Sequence, residues 1–413
     1  MLDPMVEFDL IIIGAGPAGC TLALNLAGTG LRIALLDKST FPREKICGDA
    51  LSGHVMSVLR RMPGNIWEEF LKLQPKTESC GIRFVAPNGK FMDIPFAAGD
   101  NGSSSKAGFL CRRIVFDNFL ADKVKASGSI DFREDFTIDE VTDKGEFIEL
   151  TGPKGTLTAR MVAGADGNQS VIASKLARRK PDKKNYSLGI RGYYEGVTDL
   201  HPQNFIELFF FRDILPGYLW IFPMENGLAN VGLGVLHNKV VGDKIVLAQL
   251  LQKMITTNPA LAKRFKNAKL TGRLEAHGLP MGPDPRPISG NRYILLGDAA
   301  SLVDPFTGEG IGNAMMSGEV AARVLQKAFE ANDLSAAFLS GYDRLIHEKS
   351  DKDLKVNLIM QRLTRIPALI NFTIGSVSKS ASLQSFMTRM YTDPKARAKL
   401  GNPLFYLGLL FKR

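Results

Sequence analysis

The chain has 413 residues, of which 45% are hydrophobic and 23% are charged, and its formal net charge at pH 7 is +10. This length is enough for two domains or for one large domain with an insertion, and the composition is ordinary for a folded globular protein. The longest apolar run, residues 366–377, is shorter than the roughly 18–20 residues that cross a bilayer. Residues 1–10 lead directly into a strand, so we expect no signal peptide. Four cysteines without a CxxC spacing fit a reducing cytoplasm and predict no metal site.

The first predicted element is an apolar strand over Phe8–Ile13, which leads through a glycine-rich turn into an apolar helix over Thr21–Ala27. The turn has the spacing GxGxxG, with Gly14, Gly16 and Gly19 at its glycine positions. The first glycine makes a tight turn, the second lets a pyrophosphate approach the backbone, and the third lets the helix pack on the strand. The turn therefore predicts a dinucleotide site.

An acidic residue completes this pattern. A second strand is predicted over Arg32–Leu36 and ends at Asp37, which lies 18 residues after Gly19. A carboxylate at about this distance binds the ribose hydroxyls of an adenosine. Residues 1–75 therefore predict a βαβ unit that binds a dinucleotide.

Turn signals mark the middle of the chain. Asn88-Gly89 separates two strand-like halves of residues 81–96 and predicts a β-hairpin, whereas residues 102–105 (GSSS) predict a loop. Farther on, an apolar strand ends at Asp166-Gly167. Such a turn can present a carboxylate and backbone groups towards a pyrophosphate or a pyridine nucleotide.

The segment Tyr293–Gly318 predicts a second strand, turn and helix beside a ligand. Ile294–Leu296 is a short apolar strand, Gly297 permits a sharp turn, and Asp298 can accept hydrogen bonds from ribityl hydroxyls. A helix is predicted over residues 310–322, and its N-terminal N–H groups and dipole favour an electron-rich ring such as a reduced isoalloxazine. Three residues bring the chain close to this flat ligand: Pro305, Gly308 and Gly310.

Residues 351–413 hold most of the positive charge, with eleven Lys or Arg against three Asp, an excess of eight. Apolar pieces at 366–377 and 403–411 lie in the same region. Two interpretations stay open: contact with an anionic membrane surface or an amphiphilic substrate, and a helical hairpin whose apolar face packs on the body. No nucleic-acid-binding motif accompanies the charge, so we predict a cytoplasmic protein, peripheral to the membrane under the first interpretation, without a nucleic-acid partner.

The three glycine-containing signals occur in the order GxGxxG, Asp-Gly and Gly-Asp, and they resemble the aromatic-hydroxylase class of FAD proteins over about residues 5–330. We therefore expect an α/β fold with a Rossmann-like FAD-binding domain on a parallel sheet, an inserted and mainly antiparallel β-sheet substrate domain, and a C-terminal helical region. The predicted boundaries are 1–75, 106–185 and 276–340 for the FAD-binding domain, 76–105 and 186–275 for the substrate domain, and 341–413 for the helical region.

Two further motifs resemble the geranylgeranyl reductase family. One is FPREKICGDALSG at residues 41–53, and the other is YLWIFP at 218–223 followed by Gly-Leu-Gly at 232–234, which is similar to that family's YxWxFP…GxG signature. Members reduce carbon–carbon double bonds in the prenyl chains of archaeal lipids, chlorophyll precursors and quinones. The resemblance implies an FAD-dependent oxidoreductase of an apolar, lipid-like substrate, although a buried aromatic strand would also stabilise a core.

The resemblance also implies roles for individual residues. Cys47, Gly48 and Ala50 match a segment that contacts the flavin, Arg113 matches an arginine that neutralises phosphate charge, and Thr137 is expected to touch adenine through its backbone. The complete predicted cofactor-binding set is Gly14, Gly16, Ala18, Gly19, Asp37, Lys38, Cys47, Gly48, Ala50, Arg113, Thr137, Asp166, Gly297, Asp298, Gly308, Gly310 and Ile311. No catalytic residue is assigned, and the candidates near the flavin are Cys47, Tyr218, Trp220, Phe222 and Pro305.

Several alternatives stay open. The Asp-Gly motif of this class usually continues as DGxxSxxR, but Ala173 stands at the arginine position, so the electron donor is left between NAD(P)H and a ferredoxin-like carrier. An FAD-dependent monooxygenase would share the fold, and so would a non-catalytic FAD- or lipid-binding protein. A halogenase would carry WxWxIP, where this chain has Tyr218 and Phe222. His54 and His277 lie in no motif and are predicted to be structural or exposed.

Overall fold

A computed structural model of the chain describes residues 6–96, 108–380, 383–385 and 388. The predicted loop at 102–105 and most of the chain beyond residue 380 lie outside the described residues. The described strands form three sheets. In chain order they are β1 (Phe8–Ile13), β2 (Ile33–Leu36), β3 (Ala50–Leu51), β4 (Thr77–Ser79), β5 (Gly81–Val85), β6 (Phe91–Pro95), β7 (Gly108–Leu110), β8 (Ile130–Arg133), β9 (Glu140–Asp143), β10 (Ile148–Gly152), β11 (Gly155–Gly164), β12 (Tyr186–Glu195), β13 (Ile206–Phe209), β14 (Tyr218–Pro223), β15 (Leu228–Leu236), β16 (Lys269–Pro280), β17 (Ser289–Gly290) and β18 (Tyr293–Leu295).

The α-helices lie on both sides of these sheets and at the C-terminal end of the described chain. In chain order they are α1 (Pro17–Leu26), α2 (Gly53–Leu59), α3 (Ile66–Lys72), α4 (Arg113–Ala126), α5 (Val171–Lys175), α6 (His237–Gly242), α7 (Leu247–Thr257), α8 (Pro259–Ala262), α9 (Ile311–Glu330), α10 (Ala336–Leu363) and α11 (Pro367–Val377). Helix α1 begins at Pro17, four residues before the predicted start. Proline is tolerated at the first helical position, because the N–H that it lacks would have no partner within the helix. Within the described residues, no helix combines the length and the apolar character needed to cross a membrane.

The first sheet places the predicted glycine turns at one edge. Its strand order is β17-β18-β11-β1-β2-β8, with β10 and β9 attached to β11, and the strands from β18 to β8 are parallel. Carboxyl ends of parallel strands meet at the same edge of a sheet, where open α/β sheets bind ligands. The turns after β1, β2, β11 and β18 therefore lie side by side, which confirms the predicted Rossmann-like arrangement.

The second sheet is mainly antiparallel, as predicted, with the order β16-β12-β15-β14-β13-β5-β6. Only the pairing of β13 with β5 is parallel among its described strands. The Asn88-Gly89 turn joins β5 and β6, and Gly89 has a φ of +80°, a backbone conformation that glycine adopts without strain. Helices α7 and α8 bury Leu251 and Leu261 in the apolar cluster on one face of the sheet, and α11 packs Ile370 into the cluster on the other.

The third sheet was not predicted. It has the order β3-β7-β4 and joins short strands from three separate segments of the chain. Strand β4 lies within the segment 76–105 that we assigned to the substrate domain, yet it pairs with β7 from the segment assigned to the FAD-binding domain. Strands of two or three residues leave no recognisable pattern in a sequence, which is why this sheet was not predicted. The domain boundaries stay a prediction.

Candidate functional site

A cavity of about 1370 Å³ extends from the carboxyl edge of the first sheet to the second sheet. It brings together nearly all of the predicted site residues, although they come from segments as distant as residues 14 and 311. Gly19 does not line it, because this glycine packs beneath the turn, where an added Cβ would lie 1.9 Å from the carbonyl oxygen of Gly14. The predicted residues that do line it are Gly14, Gly16, Ala18, Asp37, Lys38, Cys47, Gly48, Ala50, Arg113, Thr137, Asp166, Tyr218, Trp220, Phe222, Gly297, Asp298, Pro305, Gly308, Gly310 and Ile311.

The glycine turn after β1 has the shape that a pyrophosphate requires. Gly14 has a φ of +100°, and a Cβ there would lie 2.3 Å from the carbonyl oxygen of Ala165, so only glycine fits. A Cβ at Gly16 would have the far end of Arg43, at 3.8 Å, as its nearest neighbour, so the backbone at Gly16 is open towards the cavity. Asp37 accepts the Ala15 N–H at 2.9 Å, which fixes its carboxylate beside the turn.

Polar groups without protein partners show that the cavity fits FAD. The Oδ1 atom of Asp166 is buried and has no hydrogen-bond partner among the described residues, whereas Oδ2 accepts the Val171 N–H at 2.7 Å. Burial raises the pKa of Asp298, and the cations of Lys45 and Arg113 oppose that rise. Helix α9 begins after Gly310 without a side-chain cap, which leaves N–H groups free for an electron-rich ring.

Arg113 is held by a carboxylate of its own helix. Its guanidinium donates two hydrogen bonds to Asp117, at 2.6 and 2.8 Å, and both side chains are buried. Burial disfavours the charged guanidinium, but Asp117 outweighs this effect and raises the pKa of Arg113. Arg43, which sequence reasoning did not single out, lies 3.1 Å from Asp117 and 3.6 Å from Asp37. Both arginines are therefore candidates for a phosphate, and the role of Arg113 stays a prediction.

The other end of the cavity is apolar. Trp220 and Phe222 line it from β14, and a Cβ at Gly48 would lie 3.0 Å from the Phe222 ring, so the aromatic strand packs directly on the Cys47-Gly48 segment. Tyr218 donates a hydrogen bond to the carbonyl oxygen of Thr307. The remaining apolar wall comes from the second sheet, from the loop before α9 and from α10, through Ile82, Phe84, Leu208, Phe210, Phe306 and Leu354. This end can enclose a long hydrocarbon chain next to the flavin site.

Comparisons with known proteins agree with this geometry. The model of a family described as an FAD binding domain matches residues 7–233. A digeranylgeranylglycerophospholipid reductase of Methanothermobacter thermautotrophicus is 33% identical, and the alignment covers 97% of this chain and 99% of the relative. The chain belongs to the geranylgeranyl reductase family. It is an FAD-dependent oxidoreductase, as predicted.

A second curated relative and a solved structure are also similar to this chain. A menaquinone reductase of Mycobacterium tuberculosis is 27% identical, with 93% of this chain and 91% of the relative aligned. A crystal structure of a geranylgeranyl bacteriochlorophyll reductase-like protein from Thermoplasma acidophilum superposes with a TM-score of 0.79 at 24% identity, covering 96% of this chain and 99% of that one. The structural match shows that the two proteins share a fold.

Sequence reasoning missed the polar residues that join the flavin segment of the enzyme to the aromatic strand. Asn230, on β15, donates hydrogen bonds to the carbonyl oxygen of Cys47 at 2.9 Å and to Asp49 at 2.8 Å, and it accepts the indole N–H of Trp220 at 2.9 Å. Asp49 also accepts the hydroxyl of Tyr193 at 2.6 Å. Asn230 lies between the two parts of the YxWxFP…GxG signature, at a position that the signature does not specify, so only the tertiary contacts identify it.

A lysine and a histidine also meet across the cavity. Lys45 Nζ lies 2.6 Å from His277 Nε2, and both residues line the cavity, although we expected His277 to be structural or exposed. Burial and then the nearby Lys45 lower the pKa of His277 from 6.5 to about 4, so the imidazole is neutral at pH 7 and can accept from the ammonium. Burial also lowers the pKa of Lys45, and Asp298 opposes this shift. Burial raises the pKa of Cys47, so its sulfur is a thiol.

We expect the titration of Asp49 to appear in the pH dependence of stability. Burial raises the pKa of Asp49 from 3.8 to about 6, against the hydrogen bonds of Tyr193 and Asn230. The folded chain therefore holds this proton more tightly than the unfolded chain. Its stabilising contribution is complete below about pH 4 and is lost as the pH rises to about 6. Asp49→Asn removes this titration, so the difference in unfolding free energy, wild type minus variant, should fall by roughly 3 kcal/mol from pH 4 to pH 7.

Urea unfolding of both proteins across this pH range measures the difference. Asp139→Asn, which replaces an exposed carboxylate on the loop before β9, is the matched control. A constant difference for Asp49→Asn would show that Asp49 titrates normally in the folded enzyme.

Proposed function

We propose that the enzyme reduces carbon–carbon double bonds in an isoprenoid chain of a geranylgeranyl-type lipid or quinone. The observation that carries this proposal is the apolar end of the cavity, which begins at the flavin segment and is walled by Trp220 and Phe222. A prenyl chain offers little to hydrogen-bond, and this wall supplies apolar and aromatic surface instead. The names of the two curated relatives, a lipid reductase and a quinone reductase, support the same substrate class.

The chain's own residues bind and orient the reactants. Gly14 and Gly16 would hold the pyrophosphate of FAD and Asp37 its adenosine ribose, and Asp298 with the N-terminus of α9 would hold the ribityl chain and the ring. When bound and reduced, FAD would supply a hydride to one alkene carbon, and the other carbon would take up a proton, so that the bond gains two hydrogens. Trp220 and Phe222 exclude water and hold the double bond beside the Cys47-Gly48 segment.

The electron donor is either NAD(P)H or a ferredoxin-like one-electron carrier. This class usually has an arginine after the Asp-Gly turn, at the position that Ala173 occupies here. Ala173 lies within α5, and its backbone N–H donates a hydrogen bond of 2.9 Å to the Oγ of Ser170, the residue that caps this helix. Position 173 itself therefore offers no cation to a pyridine nucleotide. Lys38 and Lys45 line the cavity, together with Arg43, Arg61, Arg113 and Lys349, so the cavity itself supplies cations for the phosphates of such a nucleotide.

Anaerobic turnover tests the function. The purified holoenzyme is reduced chemically, mixed with a geranylgeranyl lipid dispersed in detergent, and followed by flavin absorbance and product mass. We expect reoxidation of the flavin with a gain of two hydrogens per reduced bond. Reduced flavin that reacts only after oxygen is admitted, with an oxygenated product, would instead establish a monooxygenase. NAD(P)H and reduced ferredoxin, offered separately, distinguish the donors.

We also propose that the basic C-terminal region makes peripheral contact with a membrane. A long prenyl lipid resides in the bilayer, and the enzyme has to reach it there. The excess of positive charge in residues 351–413 favours an anionic surface. Six of the eleven Lys or Arg of this region, at positions 389, 395, 397, 399, 412 and 413, lie outside the described residues.

A further inference from the structure

From Lys352 onwards, α10 and the turn after it expose only basic residues and isoleucine. Between positions 352 and 366 every exposed side chain is Lys, Arg or Ile. The positions recur mostly at intervals of three and four, so they form one stripe along the helix. We call these residues the basic stripe: Lys352, Lys355, Ile359, Arg362, Arg365 and Ile366.

The basic stripe is exposed in spite of its apolar members. Ile359 is 39% and Ile366 is 51% exposed, which places them among the few large apolar residues that the described chain leaves open to solvent. Asp353 is the only acidic residue from position 352 to 366, and it is half-buried and lines the cavity. Asp351 pairs with Lys355 at 3.3 Å, yet Lys355 remains 66% exposed. The stripe therefore combines positive charge with apolar side chains, the composition that binds an anionic bilayer surface.

The opposite face of α10 belongs to the active site. Leu354, Asn357 and Gln361 line the cavity from this face. Asn357 donates a hydrogen bond to Asp304, and Gln361 donates one at 2.6 Å to the carbonyl oxygen of Pro305. Both contacts hold the loop that precedes α9. A single helix therefore separates the basic stripe from the predicted flavin loop, and the exposed Lys349 on the same helix also lines the cavity.

We propose that the basic stripe docks on an anionic membrane surface and so places the cavity wall formed by α10 against the lipid that contains the substrate. This inference rests on the proposed function for the identity of that substrate, whereas the docking itself depends only on the surface. The charge of the stripe is complementary to anionic headgroups, and its two isoleucines reach the boundary of the acyl chains.

Vesicle sedimentation of the holoenzyme tests the docking. Vesicles of phosphatidylcholine alone are compared with vesicles that also contain phosphatidylglycerol. The stripe variant K352Q/K355Q/R362Q/R365Q is compared with K253Q/K263Q/K266Q/K269Q, which removes the same charge from exposed lysines near α7 and α8. We expect the wild type and the control to bind the anionic vesicles in a salt-sensitive way and the stripe variant to bind at least about tenfold more weakly.

A second variant separates the apolar contribution. Ile359→Ser with Ile366→Ser should weaken binding while leaving its salt dependence unchanged, because the charges remain. Flavin absorbance and activity on a detergent-dispersed substrate should match the wild type for all variants. Equal binding by the stripe and control variants would overturn the proposal. So would a wild-type dimer in sedimentation that the stripe variant abolishes, since the surface would then join two copies of the chain.

The two proposals can fail separately. Stripe-dependent binding without any reduction of a dispersed prenyl lipid would refute the proposed substrate and leave the docking surface. Reduction of dispersed lipid by all variants without stripe-dependent binding would refute the docking and leave the function.

Discussion

Gly16→Ala is expected to leave the fold intact and to weaken FAD binding, whereas Gly19→Ala is expected to prevent folding. Gly16 has a φ of −77°, which any residue adopts, and its Cβ would meet only the end of Arg43 at 3.8 Å. The new methyl group would instead occupy space that the pyrophosphate needs. Forcing one methyl into a close contact costs about 1–3 kcal/mol, which corresponds to about five- to 150-fold weaker binding of FAD.

The same substitution at Gly19 meets the protein itself. Its Cβ would lie 1.9 Å from the carbonyl oxygen of Gly14 and 3.3 Å from Ala165, so α1 could not pack on β1. Flavin retained after gel filtration, titration of FAD into apoprotein and urea unfolding distinguish the two effects. If Gly16→Ala retained FAD with wild-type affinity, the pyrophosphate would not approach the backbone at this glycine.

Asn230→Leu is expected to destabilise the enzyme by about 3 kcal/mol or more, since each buried polar group left without a partner costs about 1–3 kcal/mol. The substitution removes a donor from the carbonyl oxygen of Cys47, a donor from Asp49, and the acceptor of the Trp220 indole. Trp220→Phe removes the indole donor and part of the ring that packs beside Gly232, and it should cost about 1–3 kcal/mol. We also expect Asn230→Leu to raise the KM for a prenyl substrate more than it lowers kcat, because Trp220 and the flavin segment lose their common anchor.

Urea unfolding and steady-state kinetics of the two single variants and the double variant measure these effects. Because Trp220 and Asn230 share a hydrogen bond, their effects should not add in the double variant. Glu207→Gln is a control at a buried polar pair with Arg264, in the same sheet but away from the cavity. It should lower stability without changing the KM. If Glu207→Gln changed the KM as much as Asn230→Leu does, general destabilisation of the sheet would explain the KM changes of both variants.

The cofactor end of the site was predictable because its residues are fixed by local backbone requirements. Gly14, Gly16, Asp37 and Asp298 each follow a strand, and parallel strands bring such turns to one edge whatever the rest of the chain does. The polar connections were not predictable in this way. Asn230 reaches Cys47 across 183 positions, and Lys45 reaches His277 across 232, so no local pattern could pair them.

The sequence by itself determined the Rossmann-like unit, the need for FAD, the antiparallel second sheet and the family, since glycine spacing, apolar periodicity and turn residues act over short distances along the chain. The tertiary structure decided which face of α10 is exposed, how Asp49 became a buried acceptor, and which side chains enclose the apolar end of the cavity. These features depend on burial, and burial is set by packing between segments far apart in sequence. The basic stripe shows the difference. Its charges are visible in the sequence, but only the packing of Leu354, Asn357 and Gln361 against the cavity turns them outward as one surface.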